Sequence, residues 1–316
     1  MSSDDAWTAA ALPDQSGRRV VVTGANSGLG FEATRAFARA GAHVVMACRS
    51  TERGEDARDD IVAELPGASL TVHELDLAAL DSVAAFADWF TAEFDSLHVL
   101  ANNAGVMAIP RSETADGFET QFGVNHLGHV ALTAGLLGVL RRTSGETRVV
   151  TQSSGAHRRG RIDFEDLQHE AEYGKWEAYS QSKLANLLFA YELDRRLRAA
   201  SASVTSVACH PGYAATNLQL RGPQAAGSRL RLLAMRAANA LVGQSAEQGA
   251  WPLLYAATNP GIDGGEYIGP GGVLNMRGHP ERQQPSARSR DEDTARRLWT
   301  VSADRTGVDF DLPDPA

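Results

Sequence analysis

The chain has 316 residues, 43% hydrophobic and 22% charged, the balance of a globular protein with a full core rather than a disordered or fibrous one. Its formal net charge of −9 argues against bulk affinity for nucleic acid or anionic membrane, both of which favour basic surfaces. No stretch approaches the roughly 18 uninterrupted apolar residues of a membrane span. The acidic opening MSSDDAWTAAALPDQSG also lacks the basic start and apolar middle of a signal peptide.

Residues 1–16 read as a flexible N-terminus and 17–276 as one domain. RRVVVTG is a buried strand ending at Gly24, and LGFEATRAFARAG is a helix stopped by Gly41. AHVVMAC, SLTVHEL, LHVLANNAG, TRVVTQSSG and SVTSVACHPG follow as strands two to six, with amphipathic segments between them. This alternation is the rhythm of βαβ units and a parallel sheet. GGEYIGP supplies a seventh, edge strand, and residues 277–316, rich in Arg, Asp, Ser and Pro, read as an irregular, loosely attached tail. Cys48 and Cys209 lie in separate apolar runs and read as two buried thiols, so a reducing, cytoplasmic setting is the expectation. His126, His129, His157 and His210 form no ligand pattern for zinc, and no metal is expected. The tail segment ARRLWTVSADR is balanced by acidic neighbours, so no nucleic-acid contact is expected.

The first strand-to-helix switch, VVVTGANSGLG, places Gly24, Gly28 and Gly30 around Asn26, Ser27 and Leu29. Glycine takes a tight turn with positive φ, and without Cβ the backbone can approach a pyrophosphate at a helix N-terminus. The spacing T-G-x-x-x-G-x-G differs from the usual dinucleotide fingerprint, but its position marks a nucleotide site. At the end of strand two, where an NAD site usually carries a carboxylate for the ribose hydroxyls, stand Cys48 and Arg49. A guanidinium there suits a 2′-phosphate, which favours NADP(H) over NAD(H).

EAYSQSKLAN puts Tyr179 and Lys183 one helical turn apart on the same face. Alone, the pair fits a helix surface as well as it fits chemistry. With T-G-x-x-x-G-x-G at 23–30, DL at 76–77, NNAG at 102–105, Asn125 in VNHLGH, TQSSG at 151–155 and HPGYAATNL at 210–218, however, the chain resembles the classical-type short-chain dehydrogenase/reductase family. ACRS, YSQSKLANLLFAYEL and HPG look most like its retinol-dehydrogenase-type, NADP(H)-preferring branch.

That resemblance, over about residues 17–270, implies one doubly wound α/β Rossmann domain with about seven parallel strands and helices on both faces. It implies an oxidoreductase moving hydride between NADP(H) and a carbonyl or alcohol. Tyr179 is then the proton donor or acceptor, Lys183 tunes the phenol and holds the nicotinamide ribose, Ser154 holds the substrate oxygen and Asn125 supports a proton relay. Ser153 is read as structural. Asp76 matches the residue that reads adenine, and Leu77 supplies backbone. Asn103, Ala104 and Gly105 pass against the adenosine ribose. Pro211, Gly212 and Thr216 meet the nicotinamide carboxamide.

The interval from Ser154 to Tyr179 is longer than the family's usual gap, and its polar sequence suggests a surface excursion that leaves association into a homo-oligomer open. Residues 218–243 take the place of a substrate lid. Leu230, Leu233, Ala234, Ala237 and Leu241 share one helical face there, a pattern that fits a lipophilic substrate or plain packing. Met107 and Ile109 add apolar lining. An aliphatic, aromatic, retinoid-like, steroid-like or polyketide substrate is expected rather than a sugar. The rival readings are a non-catalytic NADP(H) sensor on the same fold and a lyase or epimerase that retains its cofactor.

Overall fold

Alternation within the first buried strand sets the layering. Val20 and Val22 face one layer of helices, Val21 faces the other, and all three are fully buried. The computed structural model describes residues 6–213 and 244–315. β1 (Arg19–Thr23), β2 (His43–Cys48), β3 (Ser69–Glu74), β4 (Val99–Asn102), β5 (Thr147–Gln152), β6 (Val204–Cys209) and β7 (Tyr267–Pro270) pair in parallel in the order 3-2-1-4-5-6-7. β8 (Pro280–Arg282) adds antiparallel to β7, so the sheet has eight strands and the strand expected at the edge is interior.

α1 (Gly28–Arg39), α2 (Thr51–Glu64) and α7 (Ala246–Thr258) pack on one face around Phe37, Ile61 and Leu253. α3 (Leu80–Glu93), α5 (Gly128–Arg142) and α6 (Lys175–Ala199) cover the other around Phe86, Phe90, Leu136 and Leu193. The strand order reverses between β1 and β4, which opens a crevice beyond their carboxyl ends. α5 continues from a short α4 (Thr120–Phe122) through a wide π-type turn at Gly123–Leu127.

The stretch Thr120–Arg142 has 23 residues and its most apolar 18-residue window a mean hydropathy of 1.3, long and apolar enough by composition to cross a membrane, which differs from the sequence expectation. Within its most apolar window 78% is buried inside the domain, so the core accounts for its apolarity.

Three segments differ from expectation in the same direction. Near the N-terminus, Trp7 packs edge-on against Tyr255 and Gln15 is buried. The polar excursion after Ser154 lays Ile162, Phe164 and Leu167 on a cluster with Phe122, Leu127 and Leu188. The C-terminal stretch, expected to be irregular, contains α8 (Glu292–Thr306). Asp291 caps α8 by accepting the Thr294 amide at 2.7 Å, and Gly307 ends it at φ 67°. Ala295, Leu298, Trp299 and Ser302 form its buried stripe, spaced i, i+3, i+4, i+7.

Candidate active site

Gly24 and Gly28 adopt φ values of 68° and 55°, which bend the chain from β1 into α1. A Cβ on Gly30 would run into the Gly24 carbonyl and lie 2.7 Å from Asn103 Nδ2, so α1 approaches β1 as closely as glycine permits. The Thr23 hydroxyl accepts the amides of Asn103 and Ala104 at 2.9 Å each, and Asn103 Nδ2 donates to the Thr23 carbonyl at 2.8 Å. These bonds fix the end of β4 across the glycine turn. Ser27 precedes α1 without a side-chain cap, leaving the first helical amides facing the crevice.

A cleft of about 560 Å³ begins there. Gly24, Asn26, Ser27, Gly28, Leu29, Gly30, Arg49, Asp76, Leu77, Asn103, Ala104 and Gly105 line its first part. Asp76 holds its own turn by accepting the Ala78 amide at 3.0 Å. Ser154, Tyr179, Lys183, Pro211 and Gly212 line the far end. Thr216 and the whole 218–243 lid lie outside the described residues.

At that far end α6 runs against β5. Tyr179 is 5% exposed with the Ser154 hydroxyl near its phenol, while Lys183, one turn later, is 4% exposed. Lys183 Nζ donates to the Gln152 carbonyl at 3.2 Å and lies 5.9 Å from the centre of the Tyr179 ring. Burial lowers its pKa to about 8, so it keeps most of its charge at neutral pH. Burial raises the Tyr179 phenol, and the nearby Ser154 hydroxyl opposes that rise. The Ser153 hydroxyl is spent on the Lys183 carbonyl at 2.7 Å, whereas Ser154 faces the cleft and its Oγ accepts the Ala156 amide at 3.2 Å.

Asn125 is fully buried behind the cleft wall, in the π-type turn. Its Oδ1 accepts the Val106 amide at 2.7 Å, and Nδ2 donates to the Val106 carbonyl and to Ser182 Oγ at 2.9 Å each. A Cβ on Gly105 would stand 2.9 Å from that Oδ1 and 3.5 Å from Lys183 Nζ, so the glycine lets the chain after β4 pass between them. Among the described residues no group of three or more His, Cys, Asp or Glu side chains is placed to hold a metal. Cys48 and Cys209 are both buried and unpaired with each other.

The sequence profile described as "short chain dehydrogenase" matches residues 18–225. The chain belongs to the short-chain dehydrogenase family. It is 42% identical over 294 residues to human retinol dehydrogenase 12, covering 92% of this chain and 87% of that protein. A mouse polyprenol dehydrogenase is 42% identical over 302 residues, covering 94% of this chain and 86% of the other. A solved structure of an uncharacterized protein from Mycobacterium Paratuberculosis shares 43% identity with a TM-score of 0.81, covering 98% of this chain and all of that one. This short-chain dehydrogenase is thus retinol-dehydrogenase-like, an oxidoreductase of a family that uses a nicotinamide cofactor.

Several cleft residues of this dehydrogenase escaped the sequence reading. Ser50 and Arg53 join Arg49 where α2 begins, and Ser50 Oγ accepts the Arg53 amide at 3.3 Å. Both stand in the same RSTER stretch as Arg49, so the signal was present. Trp176, in the first turn of α6, lines the mouth while 52% exposed, with its ring 6.1 Å from that of Tyr179. Ile109, expected as lining, instead uses its carbonyl to accept the Tyr173 hydroxyl at 2.9 Å.

Proposed function

We propose that this dehydrogenase transfers hydride between NADP(H) and a lipophilic carbonyl or alcohol by a Ser154–Tyr179–Lys183 mechanism supported by Asn125. One observation carries the reading: a buried lysine and the Ser154 and Tyr179 hydroxyls converge at one end of a cleft whose other end is a glycine-lined helix N-terminus. The glycine cradle, in which a Cβ on Gly30 would collide with backbone, fits a pyrophosphate. The bound nicotinamide supplies or accepts the hydride at its C4. Ser154 holds the substrate oxygen. Tyr179, its pKa raised by burial, holds its proton at neutral pH and so suits carbonyl reduction as a general acid. Taking a proton from an alcohol demands a stabilised phenolate, and the Lys183 charge beside it lowers that cost. Asn125 clamps the Val106 backbone and Ser182, and through them keeps Tyr179 in register.

The 2′-phosphate preference rests on Arg49 and Arg53 flanking the capped start of α2, with Cys48 in place of a carboxylate. Gly24 to Gly30, Asp76 to Leu77, Asn103 to Gly105 and the Pro211–Thr216 segment are assigned to the cofactor, and residues 17–276 to the catalytic unit with its lid at 218–243. A lipophilic substrate is supported by the exposed Trp176 indole at the mouth beside Val106 and Met107. The relatives named for retinol and polyprenol, both apolar alcohols, support the same class. Two buried free thiols support a reducing, cytoplasmic setting.

The test mixes purified protein and NADPH with a panel of aliphatic, aromatic, isoprenoid and sugar carbonyls and follows nicotinamide absorbance. Loss of absorbance with apolar carbonyls is expected. Binding without consumption would return the chain to the sensor or lyase readings, and best turnover on sugars would overturn the substrate class. Arg49→Glu should weaken NADPH on the order of 30-fold and spare NADH. Equal NADPH and NADH affinity in the unaltered protein would remove the cofactor preference.

A further inference from the structure

Two buried histidines behind the cleft have all their nitrogens engaged. The Ser286 amide donates to His157 Nε2 at 3.1 Å, and an amide nitrogen can only donate, so Nε2 carries no proton. The neutral ring therefore carries its proton on Nδ1, which lies 2.7 Å from the Ser154 carbonyl, an acceptor only. His210 is fixed the opposite way round. Its Nδ1 accepts the Gly212 amide at 3.2 Å, so Nε2 holds the proton and donates to Gln283 Oε1 at 2.8 Å. Gln283 is oriented in turn, because its Nε2 donates to the Pro270 carbonyl at 2.7 Å.

The Tyr267 ring joins the two, stacked on His210 at 5.1 Å and edge-on to His157 at 5.5 Å. Arg158 donates to the Gln284 carbonyl at 2.7 Å and Arg288 to the Gly160 carbonyl at 3.2 Å, stitching the same two segments from the flanks. Residues 283–286 thus reach the backbone of Ser154 through one imidazole and that of Gly212 through the other. Nothing in the hydride chemistry uses either ring.

We propose that His157 and His210 are positioning residues through which the 283–286 segment sets the Ser154 hydroxyl and the Gly212 backbone assigned to the nicotinamide. This rests on the roles given to Ser154 and Gly212 above. The two arms act on different steps. The His157 arm orients the hydroxyl that holds the substrate oxygen, so loosening it reduces turnover. The His210 arm places a cofactor contact, so loosening it weakens NADPH binding.

The experiment compares full-length His157→Phe, His157→Asn, Gln283→Leu and Ser286→Pro proteins. His157→Phe should lower kcat about tenfold with the NADPH dissociation constant moved less than twofold, because a misplaced group costs rate. His157→Asn, which keeps a donor at the Nδ1 position, should recover most of that loss. Gln283→Leu should do the reverse, weakening NADPH about fivefold with kcat nearly intact. Ser286 sits at φ −69°, which proline accepts, so Ser286→Pro removes the single amide donor without bending the chain.

Nitrogen-15 spectra of the imidazoles read the linkage without any turnover: the unaltered protein should show His157 protonated on Nδ1 and His210 on Nε2, and Ser286→Pro should abolish the Nδ1 preference. Kinetic and binding losses that fall together in both arms, no rescue by asparagine, or a His157 proton on Nε2 would overturn the proposal. Absence of turnover on every carbonyl removes the proposed function instead, and the Gln283→Leu binding shift with the nitrogen spectra then decides the linkage alone.

Discussion

The two ends of the cleft are built in different ways. The phosphate end is more local: Gly24, Gly28 and Gly30 follow one another within seven residues and are braced by the side chains of Thr23 and Asn103. The chemistry end is assembled from afar. Tyr179 and Lys183 come from α6, Ser154 from the segment just after β5, Asn125 from the π-type turn, and the residues that brace them from the excursion and the C-terminal segment. A loop that must cradle an anion needs permissive backbone and a helix start. A proton-transfer site needs side-chain oxygens placed to a fraction of an ångström, which calls for over-determined support.

Removing one oxygen from the chemistry end separates the two. Tyr179→Phe keeps the ring against Trp176 and Lys183 but deletes the hydroxyl beside Ser154. Carbonyl reduction should fall by about 10²- to 10⁴-fold, the range of a lost acid–base group, while NADPH affinity stays within a few-fold. Stopped-flow turnover and a fluorescence titration check this. Turnover within tenfold of the unaltered protein would mean the chemistry end is not where the reaction occurs.

How much of this was legible in the sequence follows the same division. The strands, the glycine turn, Arg49 and the Tyr179–Lys183 pair could be read because each is a short-range pattern, a period of two or four or a turn that only glycine fits. The braces could not. His157 and His210 look like any loop histidines until the fold brings Ser286 and Gln283 to them from more than 70 positions away. The excursion after Ser154 reads as polar surface because its few apolar residues, Ile162, Phe164 and Leu167, follow no helical or strand period. α8 is a different failure: its stripe of Ala295, Leu298, Trp299 and Ser302 has helical spacing, but the surrounding Arg and Asp residues suggested a loose tail. Charge on the outer face of a helix was mistaken for absence of an inner one.

A matched pair of core substitutions sharpens the contrast. Ile61 on α2 is buried in the cluster that packs β1 and α1, and Leu298 on α8 in the cluster beside the Asn125 turn; both are essentially unexposed. Each truncation to alanine should cost about 2–5 kcal/mol of stability, measured by chemical denaturation. Only Leu298→Ala touches the cluster of Phe122 and Leu127 that holds the Asn125 turn. It alone should also lower kcat severalfold in the protein that remains folded. Equal kinetic effects from the two variants would dissolve the distinction between a local end and a braced one.

Acid gives the smallest and most specific separation. His126, His129 and His210, all at the chemistry end, are held neutral by burial, with pKa values lowered to about 3, 4 and 4 from an ordinary 6.5. As pH falls below 6.5 the unfolded chain takes up these protons and the folded chain does not, so stability is full above that pH and drains away down to about pH 4. Each histidine contributes roughly 1.4 kcal/mol per pH unit while the difference lasts.

His126 is the informative one, because its Nε2 bonds Ser302 at 2.9 Å and ties α8 to the Asn125 turn. His126→Gln keeps a polar partner for Ser302 but cannot titrate, and should flatten the fall in stability between pH 6 and 4.5. Hydrogen exchange at pH 5 should then show α8 and the 123–127 turn opening before β1 and α1. Protection lost first at the glycine turn, or a slope unchanged by His126→Gln, would place the acid-sensitive bond elsewhere than in this clamp.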